Sequence, residues 1–456
     1  MEKQKKSLFG PMDLTKGTCW KTILIFSLPV ILSYLLQQVY SISDAAIVGQ
    51  TLTAQEVAGV NDTTSLVFIF LQFAFGVSAG FCVVTSCQVG ARNQAGVRRS
   101  LATQIILSAV LTVLLTALAL ALLNPMLAWI NVTPDNAEVY RAAYTYCFII
   151  FAGIGAQLFY NFICAFLRSM GDSLTPLLFL LFSTVLNVGL DLLFILSFHW
   201  GVAGAAWATV LAQAISAALC IVFALKRFTI LHLSAREWRF SAEAAWCHLK
   251  VGFPMGFQMS VMCIGQLAMQ AVVNSLGTAA VAGYTAASKA DQLSVLVNNA
   301  MMTAISNYVA QNFGAGKKDR IRLGVRASLI QTEAFNILMC IGILLLRHPI
   351  VELFLSNPTA EIYHYSDVFL TIEAPFYFLL GLLAVYRTSI QSMQNGRAPF
   401  AACMIELVMR LAATVWLSRF LGYTAVCIAS PLAWFGAIAL LIPVYYRMMI
   451  KPVKTV

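Results

Sequence analysis

Twelve long apolar stretches, each bounded by Pro, Gly, Asn or clustered charge, run almost end to end through this 456-residue chain. They lie near 22–48, 57–86, 101–123, 140–168, 175–198, 203–225, 245–273, 280–309, 323–346, 367–393, 399–419 and 423–447. A hydrocarbon core about 30 Å thick is crossed by about 20 apolar residues in a helix, and it tolerates no unpaired backbone amide exposed to lipid. Stretches of this length predict an all-α integral membrane protein of twelve transmembrane helices, with little chain left for an extramembrane domain. The charged fraction, 11% against roughly 25% in soluble domains, excludes a soluble fold.

The net charge of +10 is a topology signal before it is a partner signal. With an even number of spans both termini share one side, and that side collects 23 of the 29 basic residues: the run from Lys3 to Lys21, Arg92, Arg98, Arg99, Arg168, Lys226, Arg227, Arg236, Arg239, Lys250, the 317–326 cluster, Arg397 and the tail. The opposite loops hold only Arg141, Arg347 and Arg419, while Lys289, Arg387 and Arg410 fall within spans. Positive residues mark the cytoplasmic side. Both termini are therefore expected in the cytoplasm, and a nucleic-acid partner is not indicated.

Several chemistries drop out. The first apolar run starts too far in, and runs too long, for a cleavable signal, so it reads as a retained helix. The 11 cysteines are scattered singly without CxxC, as small packing residues rather than a disulfide framework or a zinc site. The histidines (His199, His232, His248, His348, His364) fall in loops or at predicted helix ends, with no i, i+4 pair of the HExxH kind. GAGKK at 314–318 lacks the first glycine and the Ser or Thr of a phosphate loop. No enzyme constellation, bound cofactor or ATP site emerges, so transport must be driven by an ion gradient or run downhill.

An internal repeat offset by about 224 residues organises the chain. SLPVIL at 27–32, AIVGQTLTAQEVAGV and QVGARNQAGVRRS at 88–100 are followed in order by GFPMGF at 252–257, AVVNSLGTAAVAGYT and QNFGAGKKDRIRLGV at 311–325. FLRSMGDSLTP at 166–176 is echoed by SIQSMQNGRAP at 389–399. Pro29 matches Pro254, Val57-Ala58-Gly59 matches Val281-Ala282-Gly283, and Pro176 matches Pro399. Six spans per half put both halves in the membrane the same way round, as parallel repeats about an axis along the membrane normal. The expected organisation is a six-helix bundle over 1–225, a cytoplasmic linker over 226–244 and a second bundle over 245–456. Two such bundles enclosing a cleft and rocking about it make a transporter; channels are usually built on subunit symmetry.

Ionisable groups in the bilayer cost several kcal/mol each, so each is a functional candidate. Asp44 near the outer end of span 1, Asp191 in span 5 and Thr209 in span 6 sit roughly 7–10 Å below the outer boundary at 1.5 Å per residue. Asn187 is one turn from Asp191 on the same helix face. These oxygen-bearing side chains, with no basic residue of their bundle beside them, suit a hard monovalent cation or a proton; the alternative is a structural hydrogen-bond network. The second bundle holds Lys289, Asp291, Glu333, Glu373, Glu406, Arg410 and Arg387. Glu406 and Arg410 form an i, i+4 pair and Lys289 is placed to compensate Asp291 or Glu373, so self-neutralisation through salt bridges is expected, the alternative being a second ion site; Glu373, the least obviously paired, is a reserve candidate for proton coupling. Pro29 interrupts span 1 and permits a kink.

At these residues the chain resembles a multidrug and toxic compound extrusion (MATE) transporter. The likeness rests on DLTKG at Asp13, SLPVIL, LLQQVYSISDAAIVG at 35–49, QVGARN, FLRSMGD, LNVGLDLLFI at 186–195, GVAGAAWAT at 201–209 and ASKADQL at 287–293. The resemblance implies a cation-coupled antiporter that expels amphipathic or cationic organic compounds in exchange for Na+ or H+, working as a monomer in the cytoplasmic membrane without a cofactor. It implies a cation site of the DinF-like branch at Asp44, Asn187, Asp191 and Thr209, a hinge at Pro29, and polar cleft positions at Gln37, Tyr40 and Asn161. Where some branches carry a cation-binding acid at the start of span 7, this chain has Met255, Gln258 and Ser260. The alternative reading is a lipid or lipid-linked oligosaccharide flippase of the same superfamily, which needs a cationic cleft to hold pyrophosphate.

Overall fold

The computed structural model describes residues 11–450 except Arg236 and Ser356. Lys3, Lys5, Lys6, Arg236, Lys451 and Lys454, all part of the charge-topology argument, lie outside the described residues. Among the described residues there are helices and no strand. The first half contains α1 (Cys19–Thr51), α2 (Ala54–Gly90), α3 (Gln94–Ala121), the short α4 (Leu123–Trp129), α5 (Ala137–Ala152), α6 (Ile154–Ser169), α7 (Leu174–Asp191) continuing as a π-helical turn Leu192–Ser197, and α8 (Gly201–Arg227). The second contains α9 (Ala242–Ser275), α10 (Thr278–Gly314), α11 (Lys318–Phe354), α12 (Ala360–Glu373), α13 (Tyr377–Ser392), α14 (Arg397–Leu411) with a π-helical turn Ala412–Leu417, α15 (Ser418–Leu421) and α16 (Tyr423–Ile450).

These form twelve spans, six in each half. Ten helical segments are long and apolar enough to cross a membrane, and α5 with α6 makes an eleventh, bent by 45°. The twelfth is α10, 37 residues long and more polar because it carries Lys289, Asp291 and several amides. The span made of α12 and α13 tightens to a 3-10 turn at Ala374–Phe376, where Pro375 denies the backbone its helical hydrogen bond. Contrary to the sequence reading, His248, His348 and His364 lie inside α9, α11 and α12, because α9 begins at Ala242, α11 runs past Pro349 to Phe354 and α12 begins at Ala360.

The repeat is written in the backbone as well as in the sequence. Left-handed residues fall at matched turns: Arg92 (φ 55°) and Gly316 (φ 70°), Gly171 (φ 87°) and Gln394 (φ 61°), Gly201 (φ 54°) and Gly422 (φ 55°). Gly59 and Gly283 make the same close approach. A Cβ at Gly59 would lie 2.7 Å from the carbonyl oxygen of Val139, and one at Gly283 would lie 2.7 Å from that of Ile362. Small residues at such contacts let membrane helices pack backbone to backbone.

The chain divides into two compact units. One holds Leu32–Gly256, and the other holds Leu14–Ile31 with the described residues from Phe257 onward. Each exchange falls inside a helix, two residues past a proline: past Pro29 in α1 and past Pro254 in α9.

In the first unit the start of α9 packs on α2, where a Cβ at Gly76 would lie 2.6 Å from the Met255 carbonyl oxygen. A buried chain of hydroxyl, amide and imidazole groups ties α2, α3 and α9: Thr85 Oγ1 to Ser100 Oγ at 2.8 Å, and Ser100 Oγ to His248 Nε2 at 2.8 Å. In the second unit Asn312 Nδ2 donates to the Leu14 carbonyl (3.1 Å), Arg320 to that of Gly17 (2.8 Å) and Lys317 to that of Thr15 (2.9 Å). Lys318 and Arg322 both donate to the Met449 carbonyl near the end of α16. The lysines of GAGKK are thus held by main-chain carbonyls.

Candidate cation site

Asp44 and Tyr40 come from α1, Asn187 and Asp191 from the end of α7, and Thr209 from α8, all within the first unit. The i, i+4 spacing sets Asn187 and Asp191 on one helix face, and both are fully buried. With its amide oriented to satisfy its neighbours, Asn187 donates to Asp191 Oδ2 at 3.0 Å and accepts from the Thr209 backbone N–H at 3.3 Å. The carboxyl groups of Asp44 and Asp191 are within hydrogen-bonding reach of one another. The Tyr40 hydroxyl faces Thr209.

The structure therefore brings the four predicted residues together. Oδ1 of Asp44 and Oδ1 of Asp191 are buried without a hydrogen-bond partner. Immediately after Asp191 the helix widens into its π turn, a feature that recurs at functional sites. Tyr146 of α5, which sequence reasoning did not select, supplies a second phenol beside Asp44. Its place in the run RAAYTYCFII gives no signal that separates it from a packing residue. Among the described residues no group of three or more His, Cys, Asp or Glu side chains is arranged for a metal ion. The oxygen set here is mixed carboxylate, amide, hydroxyl and phenol.

The remaining candidates are placed as follows. Gln37 is exposed, Asn161 on α6 is half-buried, and Pro29 is buried inside α1. Glu373 ends α12 and is buried, with Oε2 unpartnered. Two expected pairings are replaced. Glu406 pairs with Arg387 of α13 rather than with Arg410 one turn along its own helix, and Lys289 is exposed while Arg410 is the cation near Asp291 and Glu373. At the start of span 7, Gln258 is buried and accepts from Gln391 Nε2 at 2.6 Å.

The profile of the MatE family matches the chain twice, over residues 29–193 and again over 254–416. This chain belongs to the MatE family. Those two matches fall on the two repeats, and the family consists of transporters rather than enzymes and needs no cofactor. Among curated relatives, the chain is 29% identical over 426 residues, 93% of its length and 91% of the relative's, to the probable multidrug resistance protein YpnP of Bacillus subtilis. It is 26% identical over 374 residues, 80% of each chain, to the probable multidrug resistance protein YoeA of the same organism. Its fold matches a solved outward-facing multidrug resistance MATE transporter with a TM-score of 0.87 at 22% identity, covering 98% of this chain and 99% of that one.

With the MatE repeat fixed, the site can be compared with its counterpart in the second unit. The register of Pro29 on Pro254 carries Tyr40 to Gly265 and Asp44 to Met269. That of Pro176 on Pro399 carries Asn187 to Arg410 and Asp191 to Thr414. That of Gly201 on Gly422 carries Thr209 to Ser430. The counterparts also meet in space, since Ser430 Oγ lies 3.9 Å from Met269 Sδ. Both acids of the first site are absent from the second, and an arginine stands where the asparagine was.

Proposed function

We propose that this MatE transporter is a secondary active antiporter that exports amphipathic or cationic organic compounds in exchange for Na+ or H+, the driving ion binding at Asp44, Asn187, Asp191 and Thr209. One observation carries the reading: two carboxyl groups from different helices face each other in the first unit, each with a buried oxygen that has no partner. Such a pair favours a bound cation or shared protons over an empty, doubly ionised state. Swinging a two-state equilibrium from 1:99 to 99:1 takes about 5.5 kcal/mol of differential binding. Binding an ion at two closely placed carboxyls, in only one of two conformations, is on that scale.

Pro29 is the proposed hinge, because α1 passes from one unit to the other two residues beyond it, while Asp44 lies farther along the same helix. Ion occupancy at Asp44 can thereby bias the path of α1. Gln37, Tyr40 and Asn161 are proposed to line the substrate path, and Glu373 is the reserve for proton coupling. The names of YpnP and YoeA support multidrug export. A flippase would need free cationic groups to hold pyrophosphate, and buried Arg387 is committed to Glu406. The site composition supports a place in the DinF-like branch. We further propose cytoplasmic termini, a monomeric working unit, and the linker 226–244 as the join between bundles 1–225 and 245–456.

The test is transport in proteoliposomes with Na+ and pH gradients imposed separately, using ethidium as the exported dye. Ion-driven ethidium transport lost in Asp191→Asn is the expected result. Transport that persists in that variant at the wild-type rate removes the site assignment.

A further inference from the structure

The register of Gly59 on Gly283 places Asp291 on Val67, and the register that places Arg410 on Asn187 places Glu373 on Ile150. Val67 and Ile150 are 7% and 4% exposed and belong to one apolar core of the first unit. Two acids and one arginine thus appear together in the second unit at positions that carry no charge in the first. They are close enough to interact electrostatically, with Tyr284 among them and Tyr377 beside Asp291. Glu373 is 2% exposed and Arg410 is 6% exposed. Glu373 Oε2, Asp291 Oδ1 and Arg410 Nε have no hydrogen-bond partner.

Room for the guanidinium is made by the loss of a side chain. Gly265 stands where the first unit has Tyr40, and a Cβ there would lie 3.0 Å from Arg410 Nη1 and 3.2 Å from Arg410 Cδ. Any larger side chain would contest the space that the arginine fills. The other buried arginine of this unit, Arg387, pairs with Glu406, so Arg410 is the counter-charge near Asp291 and Glu373.

We propose that Arg410 is a tethered cation: it holds, in the second bundle, the place that an exchangeable ion takes in the first, and so limits the transporter to one ion-binding bundle. This rests on the reading of the Asp44 and Asp191 site given above. Removing the guanidinium leaves Asp291 and Glu373, together with Tyr284, Tyr377 and Ser430, as an oxygen-rich set without a counter-charge. That set should then take up a monovalent cation from solution. Arg410 is accordingly a residue that sets ion stoichiometry, acting through the two acids that share its single charge.

The experiment measures equilibrium binding of radiolabelled Na+, and in parallel proton uptake in weakly buffered solution, by the purified full-length chain. Asp191→Asn is expected to lose the ion equivalent of the wild type. Arg410→Met in that background is expected to regain one equivalent per chain, as Na+ or H+, and a further Glu373→Gln to remove it again. Arg410→Met with Asp191→Asn binding neither ion overturns the proposal. If Arg410→Met is too unstable to purify, recovery by Glu373→Gln supports it, whereas instability that Glu373→Gln does not relieve overturns it. Should Asp191→Asn keep the full wild-type equivalent, the first-bundle assignment fails. The Arg410 comparison still stands or falls on its own added equivalent.

Discussion

The two halves of this transporter share a backbone and differ in where they keep charge. In the first, Asp44 and Asp191 come from separate helices and meet with no basic residue of their unit among their neighbours. In the second, the matched positions hold Met269 and Thr414, while the buried Arg387, Glu406, Arg410 and Glu373 form, with the half-buried Asp291, a set of mixed sign. A repeat that duplicates a fold need not duplicate a site. The helices that define the scaffold keep their glycines and left-handed turns, and the side chains one turn away are free to diverge. An uncompensated pair of acids is poorly suited to holding helices together in lipid and well suited to binding something that leaves. A compensated set has the opposite character.

The largest expected effect tests that division directly. Asp44→Asn or Asp191→Asn should reduce ion-driven export to background, at least a thousandfold, equivalent to about 4 kcal/mol at 1.36 kcal/mol per decade. Met269→Leu, the matched change at the Asp44 position of the second bundle, should alter the initial rate by less than about threefold, since an apolar swap of similar volume usually costs under about 1.5 kcal/mol. Equal losses in both bundles would end the asymmetric reading. Dye export from everted vesicles under an imposed ion gradient makes the comparison.

Stability should show the reverse asymmetry. Arg387 and Glu406 are both buried and paired. Arg387→Met alone strands a carboxylate and should cost about 3 kcal/mol, whereas Arg387→Met with Glu406→Leu should recover most of the loss. The matched positions of the first bundle are Cys164 and Ser183. Their change to Ala removes no charge and should cost about 1 kcal/mol each, within the usual range for a single substitution. Thermal unfolding in one detergent ranks the variants. A single Arg387→Met as stable as the double would show that the pair does not hold the bundle.

What could be read without coordinates follows the range of the interactions. The twelve spans were legible because lipid enforces length and apolarity on every segment, and the repeat because Pro and Gly mark positions where the backbone has no alternative. That Asn187 and Asp191 share a face follows from helical periodicity alone. The choice of Arg387 over Arg410 as partner of Glu406 does not, because it is made between α13 and α14, where sequence spacing carries no information. Lys289 failed as a counter-ion for a related reason: its place in the chain puts it near Asp291, but its side of α10 is the exposed one. Tyr146 escaped notice because an aromatic in an apolar span looks the same whether it packs or faces a carboxylate.

Where the halves are alike, they should also fail alike. Gly59→Ala and Gly283→Ala each push a Cβ to 2.7 Å from a carbonyl oxygen of the facing helix, Val139 and Ile362 respectively. Backbone shifts of this kind cost typically 1–3 kcal/mol, so each variant should lose about 2 kcal/mol. The two losses should agree within about 0.5 kcal/mol. A large difference would show that one of the two contacts yields, and would weaken the case that the scaffold, as distinct from the site, is duplicated.

The smallest effect lies in the connection between α8 and α9, where charge meets water instead of lipid. Glu237 accepts hydrogen bonds from the Ser234 hydroxyl and backbone N–H, and pairs with Arg98 at 3.5 Å. The Ser234 hydroxyl first, then its backbone amide and the nearby guanidinium, hold the Glu237 carboxyl below the usual glutamate range. A lowered folded value means that the ionised form favours the docked loop. Its contribution is complete above the ordinary glutamate pKa of about 4.3 and disappears as pH falls through the lowered value. Glu237→Gln should therefore speed proteolysis of this connection slightly at neutral pH, and the difference from wild type should close in acid. Hydrogen exchange of the 232–240 amides at pH 7, compared with proteolysis by an acid-active protease near pH 3, reads both limits. A difference that persists undiminished in acid would mean that Glu237 acts by shape rather than charge. Exposed charges would then matter less here than the contrast with the buried Arg387 and Glu406 pair implies.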